Sequence, residues 1–199
     1  MLPASPQGNV HLAIHTQYTL IRAGIENAAR AVWLLQPKDR ASRVTRRLVM
    51  QRNEIRAAHR LRDLLNQPGA TTKQQALADL HALLATALGV TATEAEQIMK
   101  TTPASYKDMA RDAAPAAGYT SDTAEVIWSI CSALAHGDTH GTLSALDKQV
   151  TAARSAKGND IAEIHLTSPV SGLYWCTLAA TSMLSAGFEL YAQRARAPF

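Results

Sequence analysis

The residues best suited to chemistry lie together in Trp128–Gly141, WSICSALAHGDTHG. At four-residue spacing Trp128, Ser132 and His136 fall on one ridge of a helix, with Glu125 on the same side. Ile127, Ile130 and Leu134 point away from that ridge, toward an aliphatic core. Ser132 and His136 are spaced as a nucleophile and its base, without an evident oxyanion hole or third member. His136, Asp138 and His140 supply nitrogen and oxygen ligands for a metal, with the i, i+4 pair His11 and His15 as further candidates, at a spacing that matches no closed motif. The plain structural role is a cationic helix end at His136, beside the helix dipole, with Gly137 as the left-handed residue that follows.

A second concentration of functional types lies between Lys38 and Arg62, which holds nine Lys or Arg against Asp39 and Glu54. A helical wheel gathers Val44, Leu48, Ile55, Ala58, Leu61 and Leu65 on one face and sets Arg52, Arg56, His59 and Arg60 roughly opposite. Such a stripe suits phosphates or a solvated surface, and the absence of interleaved aromatics favours the surface. Arg43 and Arg47 fall at the edge of the apolar face, where an unpaired guanidinium is costly. They are expected either beyond the core or against carboxylates such as Glu26, as in a positively lined pocket.

These residues need scaffolding, and the composition says what kind. The chain has 199 residues, 47% hydrophobic but only 5% aromatic, and is rich in alanine. That mixture favours close-packed helices over a β-sandwich. The length suits one domain, 1–199, able to bury roughly 70% of its unfolded surface without disulfide or metal. Cys131 and Cys176 sit in apolar helical patterns and read as buried free thiols of a reducing, cytoplasmic protein. The start, MLPASPQGNVHL, lacks the basic and apolar regions of a secretory signal. The uncharged run 168–188 contains too much Ser, Thr and Gly for a membrane span and reads as a buried helix or subunit interface. Net charge is +4, compatible with an acidic partner but not diagnostic of one. No cofactor-binding pattern is present.

Apolar periodicity and stop signals predict helices over about 10–35, 39–65, 72–89, 91–102, 105–114, 121–136 and 169–196. Thr91 with Glu94 forms a capping box, and Thr71 or Thr72 with Gln74 or Gln75 forms another. Residues 143–155 and 160–167 flank the turn-like Lys157-Gly158-Asn159 and read as a small β-hairpin insert, 143–167. Gly172, Cys176 and Ala180, four apart on the last helix, permit a close helix–helix approach, internal or between subunits. The fold class is therefore an all-α bundle of about six to seven helices with a small hairpin after helix 6.

GIENAARAVWLL on the first helix, the Arg-rich second helix and W-x3-S-x3-H-G on a later one resemble the HEPN-like bacterial helical bundles, over about residues 15–60 and 121–142. The resemblance implies an all-helical dimer that meets RNA across its cleft, often as a metal-independent ribonuclease in defence or stress systems. Its hallmark is an arginine four to six residues before a histidine, for phosphate charge and proton transfer respectively. Before His136 those positions hold Ser129, Ile130 or Cys131, so the arginine must come from elsewhere, with Arg47 and Arg43 the candidates. Arg52 and His59 match the spacing formally. The string GDTHG is also similar to the GDxHG element of metallophosphoesterases, but it follows a helix and lacks that family's further motifs.

Three functions follow as expectations. The first is a HEPN-like protein binding RNA or a nucleotide, with His136 and Arg47 as catalytic candidates and Arg43, Arg52, Arg56, His59, Arg60, Trp128 and Ser132 as binding candidates. The second is a non-catalytic homodimeric interaction protein. The third is a metal-dependent bundle enzyme using His136, Asp138 and His140.

Overall fold

The computed structural model describes residues 14–67, 69–156 and 159–196. Its elements are α1 (Ile14–Leu35), α2 (Arg40–Leu64), α3 (Lys73–Leu88), α4 (Ala92–Thr101), α5 (Tyr106–Ala113), a single 3₁₀ turn (Ala114–Ala117), α6 (Ser121–His136), α7 (Thr139–Ala145), β1 (Asp147–Ala156), β2 (Asn159–Thr167) and α8 (Val170–Ala195). The protein is an all-α bundle carrying a small antiparallel hairpin.

Local chemistry accounts for most boundaries. The side chains of Asp39, Thr72, Thr91, Ser105 and Thr120 each accept from a backbone N–H in the first turn that follows. Thr91 and Glu94 complete a reciprocal capping box, which satisfies two otherwise unpaired donors. Gly137 ends α6 at φ 67°, a left-handed conformation that costs glycine nothing and other residues about 1 kcal/mol or more.

The short helix α7 was not anticipated. Asp138 accepts from Gly141 N at 2.7 Å and caps it. Thr139–Ala145 therefore coil before the chain extends, so the first strand begins at Asp147 rather than residue 143. The strands pair from Asp147 opposite Thr167 to Ala156 opposite Asn159, with a bulge between Val150 and Ala152. Positions 10–13 of the first expected helix lie outside the described residues, and so do Lys157 and Gly158 of the expected turn.

Two apolar cores result. The larger joins α1, α5, α6 and α8 through residues such as Ile25, Val32, Met109, Leu134 and Met183. The smaller joins α2, α3 and α4 through Leu48, Val49, Leu80, Leu84 and Met99. Gly172 packs beside the Tyr18 hydroxyl, Cys176 is buried, and Ala180 lies against Gly24. That small-residue stripe therefore serves internal packing. No helix among the described residues is long and apolar enough to cross a membrane.

Candidate functional site

The predicted Trp128/Ser132/His136 ridge faces α1, and what it meets there is charged. Arg22, Glu26 and Arg30 recur every four residues along α1, so they share a stripe. Glu26 Oε1 accepts from Arg22 Nε at 2.7 Å and from Trp128 Nε1 at 3.1 Å. Arg22 Nη1 donates to His136 Nε2 at 2.6 Å. The guanidinium also lies 5.9 Å from the centre of the Trp128 ring, within cation–π range. Two turns earlier on α1, His15 Nδ1 bonds the Leu134 carbonyl at 2.6 Å, tying the same two helices.

The chemistry of this cluster follows from its hydrogen bonds. A guanidinium only donates, so the bond to His136 requires Nε2 as acceptor and the ring proton, when neutral, on Nδ1. The one basic nitrogen is thus occupied by a permanent cation and is released when the guanidinium turns to another acceptor. Glu26 is mostly covered and holds Arg22 through an i, i+4 pair, while His136 is open to solvent. A phosphate that draws the guanidinium off His136 would meet a cation and a freed, exposed base together.

The other expected residues distribute differently. Ser132 is half-buried on the ridge and makes no hydrogen bond with His136 among the described residues, so the nucleophile pair is not assembled. Arg43 Nη1 donates to the carbonyls of Pro37 and Lys38 at 2.9 and 2.7 Å. Arg47 faces Glu54 at 3.9 Å. Neither supplies the arginine at His136; Arg22 does, because α1, not α2, packs on α6 there.

Arg52 corrects the expected wheel of α2. At 3.6 residues per turn it lies about 40° from Leu48 rather than opposite it. Accordingly it is buried, and its guanidinium donates to the Met99 carbonyl near the end of α4. Burial, with Arg56 nearby, lowers its pKa. His59 is half-buried, while Arg56 and Arg60 stay exposed. The end of α2 outruns its core: Ala58, Leu61 and Leu65, placed on the apolar face, are exposed.

A different arginine cluster joins α2 to α1 and α5. Arg46 lies 4.8 Å from the centre of the Trp33 ring, donates to the Trp33 carbonyl at 2.6 Å and pairs with Asp112 at 2.9 Å. Glu125, expected on the ridge, instead binds Arg111, with Lys107 at 3.5 Å. Hydrogen bonding from Arg111 holds its carboxyl below the usual range.

No three His, Cys, Asp or Glu side chains converge on a metal position among the described residues. The reason is local. His136 turns to Arg22, and Asp138 is committed to capping α7. His140 is exposed, and His11 lies outside the described residues. Cys131 and Cys176 are free and buried, and their shared hydrogen bond together with burial pushes the Cys131 thiol up.

Comparison with protein-family models, curated proteins and solved structures yields no match.

Proposed function

We propose that this chain is a HEPN-like protein that binds RNA or a nucleotide, with Arg22 and His136 as the phosphate-facing pair and Glu26 and Trp128 positioning the arginine. The observation that carries the reading is the 2.6 Å contact between Arg22 Nη1 and an exposed His136 Nε2. It provides the arginine–histidine couple that the resemblance implies, but with the arginine drawn from α1 instead of from the helix that carries the histidine. The two buried free thiols accord with a reducing cytoplasm.

If the couple turns over, Arg22 leaves His136 for the phosphate and steadies the charge gathering on phosphorus, while the freed Nε2 of neutral His136 takes the 2′-hydroxyl proton of RNA. The 2′ oxygen then bonds to phosphorus as the bond to the 5′ oxygen breaks. The departing 5′ oxygen takes up a proton from water, giving a 2′,3′-cyclic phosphate and a 5′-hydroxyl end, with no metal needed.

The test is binding and cleavage of end-labelled cellular RNA in EDTA by wild type, Arg22→Ala and His136→Ala. Binding should weaken steeply with salt and fall at least about tenfold in Arg22→Ala, roughly 1.4 kcal/mol. Cleavage, where present, should vanish in His136→Ala. Salt-independent binding, or equal binding by folded wild type and Arg22→Ala, overturns the proposal.

A further inference from the structure

The largest apolar feature lies on a different face. Between α1 and α8 runs an open groove of about 760 Å³ whose lining contains no charged residue. Its floor is made of small residues, among them Gly24, Ala28, Ala31, Ala180 and Gly187. A Cβ built on Gly24 would stand 3.7 Å from Ala180 Cβ, and one on Gly187 3.6 Å from Ala31 Cβ. The two helices therefore run parallel and nearly touch. Leu20, Leu184, Phe188 and Tyr191 rise beside that floor, each half or more exposed.

The dimensions select a thin occupant. The lining runs from Leu20 to Leu35 on α1 and from Ala180 to Tyr191 on α8, roughly 22 and 17 Å at a helical rise of about 1.5 Å per residue. Spread over that length, the volume leaves a cross-section of roughly 35–45 Å². A packed helix, about 10 Å across, needs roughly 80 Å². An alkyl chain, whose carbons keep about 4 Å from their neighbours, needs roughly 15–20 Å².

At mid-length the polar side chains bond their own helices. Thr181 Oγ1 donates to the Thr177 carbonyl at 3.0 Å and Asn27 Nδ2 to the Ala23 carbonyl at 2.8 Å. A polar ligand finds little to bind along this floor, whereas methylenes leave water there without stranding the threonine hydroxyl.

One end of the groove is different. Arg194 lies three residues beyond Tyr191, one turn further along α8. Its Nε donates to the carbonyl of Leu35, the last groove residue of α1, at 3.1 Å. Its Nη2 reaches the Pro37 carbonyl at 3.1 Å, where Arg43 Nη1 also donates at 2.9 Å. Two guanidiniums thus share one acceptor, and among the described residues neither has a carboxylate within ion-pair distance. Asp39, four residues before Arg43, is engaged in capping α2. The end of a helix carries only about half a negative charge, so positive charge is left over.

We infer that the α1/α8 groove binds a free, unbranched fatty acid, its tail along the glycine and alanine floor and its carboxylate at Arg194 and Arg43. Charge and shape agree on the direction: the uncharged floor takes the tail, and the one anion-seeking end takes the head. The groove also sets the length. An extended chain advances roughly 1.3 Å per carbon, the projection of a bond of about 1.5 Å, so about fourteen to sixteen carbons fill it. A largely apolar lining with a few polar groups gathered at one point is how small-molecule sites are built, and the volume lies within their range.

This site stands apart from the arginine–histidine pair. Arg22 is two residues from Gly24 and so leaves α1 on nearly the opposite side.

Displacement of a fluorescent long-chain acid from the whole chain, by acids from octanoate to stearate kept below micelle formation, tests the inference without any RNA. Affinity should rise about twofold per methylene, as half-buried methylenes give, and level off at about fourteen to sixteen carbons. Methyl palmitate, which has the same tail without the charge, should bind at least about tenfold more weakly than palmitate. Thr181→Glu sets a carboxylate at an exposed mid-groove position and should weaken palmitate binding at least about tenfold with helical circular dichroism retained. Leu64→Glu, at an exposed leucine on α2, should bind as wild type does. Arg194→Gln should bring acid and ester together; should that variant misfold, the acid–ester comparison in wild type decides. No displacement from folded wild type overturns the inference, whether a second copy or only water covers the groove. Capture on neutral phospholipid vesicles without displacement by free acids assigns the groove to a membrane and overturns it too. So does equal affinity for palmitate and its ester, equal binding by folded Thr181→Glu, or affinity that keeps climbing to stearate.

Discussion

Arg22 and His136 stand 114 positions apart in the chain and 2.6 Å apart in space. Glu26 sets that distance: it fixes the guanidinium from one turn further along α1 and is itself steadied by the Trp128 indole. The cluster is a chain of oriented donors that begins on one helix, crosses to the second and returns to the first.

Removing Glu26 should therefore disturb both helices. Glu26→Ala leaves the Trp128 N–H and Arg22 Nε without their acceptor, which should lower unfolding stability by roughly 1–3 kcal/mol. Glu26→Gln keeps an acceptor for Trp128 and should cost less. Urea unfolding midpoints, with m unchanged, read the difference. Equal stability of wild type and Glu26→Ala would show that the bonds contribute nothing net.

The basic helix divides into structural and exposed arginines. Arg52→Ala removes a buried side chain that serves the Met99 carbonyl, so it should destabilise by about 2–3 kcal/mol. Arg56→Ala, at an exposed position, should stay within about 0.5 kcal/mol. Thermal unfolding of the two variants side by side checks the contrast; similar losses in both would refute it.

The thiols should be silent in the native state. Cys131 is 0% and Cys176 3% exposed, and the Cys131 thiol is pushed up by its bond to Cys176 and by burial. Reagents attack the thiolate. Modification by a disulfide reagent should consequently be slow in buffer and rapid in denaturant. Two thiols titrating at once in buffer would contradict the burial.

Acid should weaken the α5–α6 contact through Glu125. Its carboxyl pKa is lowered first by hydrogen bonding from Arg111 and then, against desolvation, by Lys107. A depressed folded value means the contribution is present above the unfolded carboxyl range, about pH 4.3. It is lost as pH falls through the folded value. Stability of wild type should exceed that of Glu125→Gln near neutrality, with the gap closing in acid. A gap that stays constant with pH would assign the effect to packing.

Much of the architecture was legible because its causes are local. Thr91 with Glu94, the Thr72 cap and the His136-Gly137 ending act within one turn, and each marks a boundary that the fold keeps. The Gln75 side chain turns to Asp79 and does not close the box expected with Thr72. The hairpin was legible from alternation in IAEIHLT. The helix α7 was missed because its cap, Asp138, sits among residues that invite a metal reading.

By itself, then, the sequence determined the helices other than α7, the hairpin and the ridge of Trp128, Ser132 and His136, since periodicity and caps depend on neighbours a few residues away. Only the tertiary structure decided which arginine meets His136. Fourteen arginines are available, and a long flexible cation carries no local mark of its partner. The packing of α1 on α6 brought Arg22 there. The packing of α2 on α3 and α4 drew Arg52 inward and kept Arg43 and Arg47 at other partners. The Arg22-Glu26-Arg30 stripe was readable on α1, but its meaning depended on the helix placed against it.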